Sequence, residues 1–298
     1  MGERQWLGHI AALVTVCGWG LTYVATAILL RSFSPFELPI FRFIAAIPAL
    51  YLIYPKKMGK TNLRQELLFA GAGLTGVTLF FIAENFALLH SSVSNVGVIV
   101  ATAPVFTSLA VWIFLKGERP SKAFFLGFLL AICGIALISF ADIRIQLSPL
   151  GDMLAVVTAM CWAAYSVFMK KINAQGHHPI QITRRIFLYG LLFFGPAVFL
   201  TDVRWGFERF LDTANLVSFL LLALGASAAG FVLWNWALAK LGPVKTTVYV
   251  YLIPLVALTG SFFILGETIS WIQTCGVALT LLGLIISNRR PRKKETAS

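Results

Sequence analysis

Long apolar stretches alternate with short polar breaks along almost the whole chain, and clear breaks occur at Pro55-Lys56-Lys57, at 116–120 and at Gly242-Pro243. A helix needs about 20 apolar residues to cross a bilayer core of about 30 Å. Backbone groups in lipid need partners within the segment, and the ~10-residue alternation of barrel strands is absent, so the pattern predicts helices. The predicted spans are residues 7–30, 36–54, 67–89, 94–115, 123–140, 150–169, 184–201, 214–239, 246–265 and 270–287.

The composition supports an all-α integral membrane protein with ten transmembrane helices. Of the 298 residues, 58% are hydrophobic and 12% are charged, whereas a soluble domain carries about 25% charged residues. A soluble enzyme and a disordered chain are therefore both disfavoured. The four cysteines lie inside apolar runs, where thiols usually pack as small hydrophobic groups. We predict no disulfide, no metal site and no cofactor, and the sequence contains no phosphate-binding loop motif.

The net charge of +12 comes from lysines and arginines that mostly flank the apolar runs. Such a charge suggests nucleic acid in a soluble protein, but here it indicates membrane orientation instead, and no nucleic-acid partner is predicted. If the N-terminus is cytoplasmic, 17 of the 24 basic residues fall on the cytoplasmic side and four on the other. We therefore predict a multi-pass protein of the plasma (inner) membrane with both termini, including the basic tail 289–298, in the cytoplasm.

The second half of the chain repeats the first at a nearly constant offset. The segment 85–88 (Asn-Phe-Ala-Leu) matches 235–238 (Asn-Trp-Ala-Leu). Chance matches from a shared apolar bias would not readily preserve polar and aromatic residues in order. Further pairs are Trp19 with Trp162, Arg42 with Arg185, Pro104 with Pro254, Gly127 with Gly276, and Gly134 with Gly283.

These matches divide the chain into two five-helix repeats, 7–141 and 150–288. Because five is odd, the second repeat enters the membrane in the opposite direction. Inverted repeats are a transporter architecture, since they offer two equivalent conformations that open to opposite sides. The alternative is a duplication that only stabilises a helical bundle.

The whole pattern resembles the EamA-type transporters of the drug/metabolite transporter superfamily. The resemblance rests on the 5+5 repeat, on Phe41-Arg42-Phe43, on the paired tryptophans and prolines, and on Gly117-Glu118 and Gly266-Glu267. It implies a secondary transporter, not an enzyme, that exports a small organic metabolite, such as an amino acid, amine, nucleobase or drug, by alternating access. A channel, an importer of a vitamin-like metabolite and, less directly, a membrane-embedded enzyme are the alternatives.

Polar and aromatic side chains at helical spacing predict a substrate pocket between the repeats. Trp19 and Thr22 share a face of the first span, and Trp162 and Tyr165 share a face of the sixth. Opposed aromatic walls can stack on or cage a small molecule, although ordinary helix packing is an equally good interpretation. The pocket candidates are Trp19, Thr22, Tyr23, Asn85, Trp162, Tyr165, Asn235 and Tyr249.

Glu84 is the one acidic residue deep in a predicted span. An ionisable group at that depth is a functional candidate by default, and we predict that it couples transport to protons. The alternatives are pairing with a cationic substrate, a structural pairing with Arg42, and a position in a water-filled crevice at the outer end of the span. Pro104 and Pro254 each remove a backbone donor and are predicted to kink the fourth and ninth spans for gating.

The predicted partners are a small-molecule substrate, the lipid bilayer and protons, while the oligomeric state is left open.

Overall fold

The computed structural model describes residues 5–91, 93–140, 148–200, 203–260 and 270–287. Within these ranges the chain is helical and contains no strand, as the apolar runs predict. The predicted tail 289–298 lies outside the described residues. The helical segments are α1 (Gln5–Leu29), α2 (Glu37–Ile53), α3 (Leu63–His90), α4 (93–115), α5 (Lys122–Phe140), α6 (Pro149–Asn173), α7 (Pro179–Leu200), α8 (Thr213–Leu241), α9 (243–260) and α10 (Trp271–Ser287).

Five described helices are long and apolar enough to cross a membrane. They are α3, the Val96–Leu115 part of α4, α6, α7 and α8. Shorter apolar helices cover Lys122–Ile138, Pro243–Val256 and Trp271–Ser287. The chain therefore has the apolar helices of a multi-pass membrane protein.

Helix contacts recur after a shift of five helices. α1 packs against α8 and α9, and α6 packs against α3 and α4. α2 likewise contacts α8 and α7 contacts α3, while α5 pairs with α10. The two halves of the sequence, which resemble each other residue by residue, thus also make equivalent contacts.

Four glycines bring the backbones of α5 and α10 into direct contact. A Cβ added at Gly134 would lie 2.5 Å from the carbonyl oxygen of Gly276, and one added at Gly283 would lie 2.5 Å from that of Gly127. Small residues allow this close approach between helices in lipid, where hydrophobic burial does not drive association. All four glycines found as sequence repeats therefore lie in this contact, where Gly134 faces Gly276 and Gly127 faces Gly283.

Both repeats contain irregular turns at equivalent places. π-Helical turns cover Leu74–Leu79 in α3 and Leu221–Gly230 in α8. α4 is interrupted at 101–102, just before Pro104, and α9 contains a 3₁₀ segment, Val248–Leu252, just before Pro254. Proline has no backbone donor, which suits it to the first turn after such an interruption. The gating role of the two prolines stays a prediction.

A buried carboxylate attaches the α7–α8 connection to the start of α2. Glu37 is only 1% exposed. Its carboxylate accepts hydrogen bonds from the Arg209 guanidinium at 2.8 Å and from the backbone N–H groups of Arg204 at 2.7 Å and Ser34 at 2.8 Å. These hydrogen bonds therefore hold the α7–α8 connection against the α1–α2 turn.

A second carboxylate cluster joins the start of α7 to the α2–α3 region. Glu66 accepts hydrogen bonds from Arg185 Nε at 3.1 Å and from the Tyr189 hydroxyl at 2.6 Å. The neighbouring Arg184 donates to the carbonyl oxygen of Tyr54 at 2.7 Å. The α2–α3 connection thus contacts α7, and the α7–α8 connection contacts α2. The two contacts are equivalent, because each helix in one is replaced in the other by the helix at the same position in the other half of the chain.

Candidate functional site

A cavity lies between helices of the two repeats. The empty space within it, including open solvent at its mouth, is about 630 Å³. The described residues that line it are Trp19, Thr22, Thr26, Arg42, Phe80, Phe81, Glu84, Leu88, Val100, Ala103, Trp162, Phe231, Val250 and Ile253. Most of these side chains are apolar, and a few polar groups converge among them, which is the usual make-up of a small-molecule site.

The tryptophans of α1 and α6 form one aromatic cluster at this cavity. The Trp19 and Trp162 rings meet edge to face, with centroids 5.3 Å apart and planes at 81°. The ring of Phe231 from α8 lies 5.7 Å from Trp19 and 6.0 Å from Trp162. Edge-to-face packing is a favourable aromatic geometry, and residues from both halves of the chain build one aromatic wall.

The two indole N–H groups differ in how they are satisfied. Trp19 Nε1 donates to the carbonyl oxygen of Ala226 at 3.1 Å, within the π-helical turns of α8. Trp162 Nε1 is buried and has no hydrogen-bond partner among the described residues. A buried donor is costly to leave unpaired, so Trp162 offers a hydrogen bond to a molecule in the cavity.

A buried arginine brings a positive charge to the cavity. Arg42 is 6% exposed, and its Nε donates to the Ser227 hydroxyl. Its guanidinium lies 4.5 Å from the centroid of the Phe81 ring and 5.7 Å from that of Phe43. Arginine is always charged in proteins, and the aromatic faces stabilise that charge.

Glu84 brings a negative charge to the same cavity. It lies on α3 one turn beyond Phe80 and Phe81, which also line the space. Its carboxylate interacts electrostatically with Arg42. Both residues line the cavity, while the coupling role of Glu84 and its alternative pairing with Arg42 stay predictions.

Four of the pocket and coupling candidates come together around this space: Trp19, Thr22, Glu84 and Trp162. Thr22 Oγ1 also donates to the carbonyl oxygen of Trp19 at 2.7 Å. The Tyr23 side chain lies outside the described residues. These positions agree with the predicted pocket in space, while substrate contact itself stays a prediction.

The other candidates make contacts between helices. The Tyr165 hydroxyl is fully buried and donates to Asn235, which in turn donates to Thr183 Oγ1 at 2.9 Å. This chain of hydrogen bonds connects α6, α8 and α7. The substrate-binding roles predicted for Tyr165 and Asn235 stay predictions.

Asn85 and Tyr249 are also engaged elsewhere. Asn85 Nδ2 donates to the carbonyl oxygen of Pro35 at 2.8 Å and so connects α3 to the α1–α2 turn. The Tyr249 hydroxyl lies 2.7 Å from His9 Nδ1. Their predicted roles in the pocket stay predictions.

Sequence reasoning did not include Arg42, Phe80, Phe81 or Phe231 among the pocket residues, although all four line the cavity. For Arg42 a signal was present, since a charged residue inside an apolar run usually faces a cavity or a partner. The phenylalanines carry no such signal because 25 phenylalanines are spread through the chain. Only the packing of α3 and α8 singles them out.

Comparison with known proteins finds one matching family and several similar transporters. Residues 6–140 and 149–289 each match the EamA-like transporter family. A protein of Archaeoglobus fulgidus named "Uncharacterized transporter" is 26% identical over 95% of this chain and 97% of its own. The "Probable terminal-alkyne amino-acid exporter" of Streptantibioticus cattleyicolor is 28% identical over 97% of this chain and 96% of its own.

The "Probable amino-acid metabolite efflux pump" of Salmonella typhimurium is 27% identical, and the match covers 97% of each chain. A solved crystal structure superposes with a TM-score of 0.73 at 17% identity, over 94% of this chain and 96% of the other. That likeness supports the fold alone. The similar proteins with functional names are thus transporters and exporters, and none of the three relatives is named as an enzyme.

Proposed function

The chain belongs to the EamA-like transporter family, and from this premise we propose that it exports a small organic metabolite across the plasma membrane by alternating access. The observation that carries the proposal is the cavity, whose walls come from both repeats. A binding site at the interface of two repeats can open to either side when one repeat moves against the other. The export direction is supported by the names of the amino-acid exporter and efflux pump described above.

We further propose ten membrane spans in two inverted repeats. Support comes from the residue matches between the halves, from the helix contacts that recur after five helices, and from the paired π-helical turns. A repeat with an odd number of spans reverses its direction on duplication. The two equivalent arrangements of such a protein are then the inward-open and outward-open states.

The orientation follows from the positive-inside rule, which places loops rich in lysine and arginine in the cytoplasm. Reporter fusions after Asp142 and after Ser298 test it. We expect an extracytoplasmic signal from the first fusion and a cytoplasmic signal from the second. Signals from the same side of the membrane would contradict the ten-span topology.

Within the cavity, Trp19, Thr22 and Trp162 are proposed to contact the substrate. The Glu84 carboxylate is proposed to bind a proton or the substrate in turn. A carboxylate that meets either a proton or a cationic group of the substrate can hold only one of them at a time. Loss of a proton on one side would then accompany substrate loading. This competition would couple export to the proton gradient without a further cofactor.

Counterflow in proteoliposomes tests the function. Purified protein is reconstituted, the vesicles are loaded with a pooled metabolite extract, and uptake of trace labelled metabolites from outside is followed. A carrier predicts saturable, transient accumulation of at least one labelled compound, driven by exchange with the unlabelled pool. Uptake that is linear in concentration and independent of the internal pool would instead indicate a channel, and no uptake above protein-free vesicles would contradict both.

A further inference from the structure

Resting on the proposed transport function, we infer that the protein has a second cavity, closed in this structure, from which the exported molecule is loaded on the cytoplasmic side. Met169, Trp234 and Leu238 line this second cavity, and it takes a molecule that carries a hydrogen-bond acceptor. The observation that carries the inference is an asymmetry between equivalent residues of the two repeats at the open cavity.

The middle of the open cavity follows the repeat symmetry. Residues of the first helix of each repeat correspond at an offset of 143, and those of the third and fourth helices at an offset of 150. Thr22 lies one turn from Trp19 and belongs to this middle part. Four equivalent pairs line the cavity with both of their members, namely Trp19 and Trp162, Phe81 and Phe231, Val100 and Val250, and Ala103 and Ile253. This part of the wall is therefore shared by the two repeats.

Away from the middle, the lining comes from the first repeat. Thr26 lies near the end of α1, and Glu84 and Leu88 lie in the last two turns of α3. The proposed orientation places these helix ends at the extracytoplasmic side. The open cavity therefore extends from the shared middle toward that side of the membrane.

The equivalent positions of the second repeat are closed. Met169, Trp234 and Leu238 correspond to the three residues just described, but they are not part of the described lining. Met169 and Trp234 are fully buried, and Leu238 is 2% exposed. Met169 and Leu238 lie near the ends of α6 and α8 that face the cytoplasm in the proposed orientation. If the two repeats exchange conformations, as inverted repeats can, a cavity opens along these residues toward the cytoplasm.

A chain of hydrogen bonds keeps the cytoplasmic side closed. The Tyr165 hydroxyl donates to Asn235, and Asn235 donates to Thr183 Oγ1 at 2.9 Å. Asn85, the first-repeat equivalent of Asn235, instead donates to the carbonyl oxygen of Pro35 at the outer side. The two equivalent asparagines thus have different partners in this conformation, and loss of the Asn235 bonds should favour opening toward the cytoplasm.

Two buried indole N–H groups supply donors for the closed cavity. The Trp234 ring packs against the rings of Trp19 and Trp162, with centroid distances of 5.0 Å and 5.7 Å. Nε1 of Trp162 and Nε1 of Trp234 are both buried without a hydrogen-bond partner among the described residues. A buried donor without a partner is costly. A carbonyl or carboxylate oxygen of the loaded molecule would satisfy one or both donors once the cavity opens.

Cysteine labelling tests the position of the second cavity. Leu238→Cys and its equivalent Leu88→Cys, each in a background without the native cysteines, are exposed to a membrane-impermeant maleimide from either side of oriented vesicles. We expect Leu238→Cys to react from the cytoplasmic side and Leu88→Cys from the extracytoplasmic side. Ala237→Cys is the matched control, because Ala237 is fully buried beside Leu238 and packs against Ala11 and Ala12 of α1. It should stay unreactive, which distinguishes the opening of a cavity from a general loosening of α8.

Asn235→Ala tests the hydrogen bonds that close this side. It should raise the cytoplasmic labelling rate of Leu238→Cys roughly two- to tenfold, as expected for the loss of one hydrogen bond, and lower the labelling rate of Leu88→Cys. Asn85→Ala removes a hydrogen bond at the outer side and should not raise the labelling of Leu238→Cys. If Asn235→Ala does not fold, the comparison of Leu238→Cys with Ala237→Cys decides.

Trp234→Phe tests the indole donor, because it keeps an aromatic ring and removes the N–H group. The probe is the pooled metabolite extract, offered in counterflow at the cytoplasmic face of the protein in oriented vesicles. The extract concentration for half-maximal exchange should rise roughly two- to tenfold. Trp236→Phe, at a partly buried position packed beside α1, should leave it unchanged. An unchanged value in Trp234→Phe, or an equal rise in both variants, would overturn the donor assignment.

The outcomes separate this inference from the proposed function. Saturable counterflow by a protein whose Leu238→Cys variant reacts no faster than Ala237→Cys would overturn the second cavity and leave the carrier intact. Reaction of both cysteines from the cytoplasmic side would do the same, since it would indicate a loosened helix. An absence of counterflow for every compound would overturn the transport proposal itself.

Discussion

Replacing Gly134 by alanine should separate α5 from α10. The new Cβ would lie 2.5 Å from the carbonyl oxygen of Gly276 and 2.6 Å from the backbone nitrogen of Thr280, whereas ordinary contacts are 3.4–4 Å. The helices would have to move apart by roughly 1 Å, which forfeits a quarter to a half of the dispersion energy across the contact. Overpacking of this kind costs about 1–3 kcal/mol, against a gain of up to about 1 kcal/mol from helix propensity.

The assay is the temperature at which half of the detergent-purified protein loses its monodisperse peak in size-exclusion chromatography. A net loss of about 1–2 kcal/mol should lower that temperature by roughly 2–8 °C. Gly97→Ala is the matched control, because nothing lies within 4 Å of an added Cβ there. Unchanged stability of the Gly134 variant, or an equal loss in the Gly97 variant, would refute the glycine contact as the reason for the close packing.

Three further predictions concern the cavity and the loops. Trp19→Ala and Trp162→Ala should each weaken transport roughly two- to thirtyfold at normal expression, since an aromatic contact is worth about 0.5–2 kcal/mol; unchanged transport rates would show that these rings only pack. Glu84→Gln lacks the carboxylate that is proposed to bind a proton or a cationic group of the substrate, so it should exchange substrate more slowly and lose acceleration by an imposed pH gradient; a preserved pH response in the same liposomes would eliminate Glu84 as the coupling residue. Glu66→Gln should lower the melting temperature less than the Gly134 variant does, because its arginine partner is 38% exposed and such pairs contribute about 0–1 kcal/mol; a larger drop would contradict that ranking.

Several features of the molecule could be predicted because they depend on local patterns. The apolar runs predict the helices, since length and hydropathy alone decide whether a segment can span lipid. The match between Trp19 and Trp162 predicts equivalent positions in two repeats, and their rings indeed lie 5.3 Å apart at one cavity. The four repeated glycines likewise all lie in the α5–α10 contact, although each faces a glycine other than its repeat equivalent.

Other features depend on the rotation of each helix, which a regular 3.6-residue period does not predict. The π-helical segment Leu221–Gly230 changes the phase of α8 ahead of Asn235. Asn235 therefore meets Tyr165 and Thr183 in a helix contact. The Arg42–Ser227 bond joins residues 185 positions apart, and no short-range pattern carries that information.

The most direct test of alternating access is the exposure of one cavity residue to each side of the membrane. Thr22→Cys, in a background without the native cysteines, is labelled with a membrane-impermeant maleimide from inside or outside oriented vesicles. Thr158→Cys, at a fully buried position, serves as the unreactive control, and Lys171→Cys marks the cytoplasmic side. We predict that Thr22→Cys reacts from both sides. Saturating substrate on one side should raise one of the two labelling rates and lower the other. Labelling from one side only under every condition, or equal rates from both sides that substrate leaves unchanged, would contradict a carrier that opens this cavity to each side in turn.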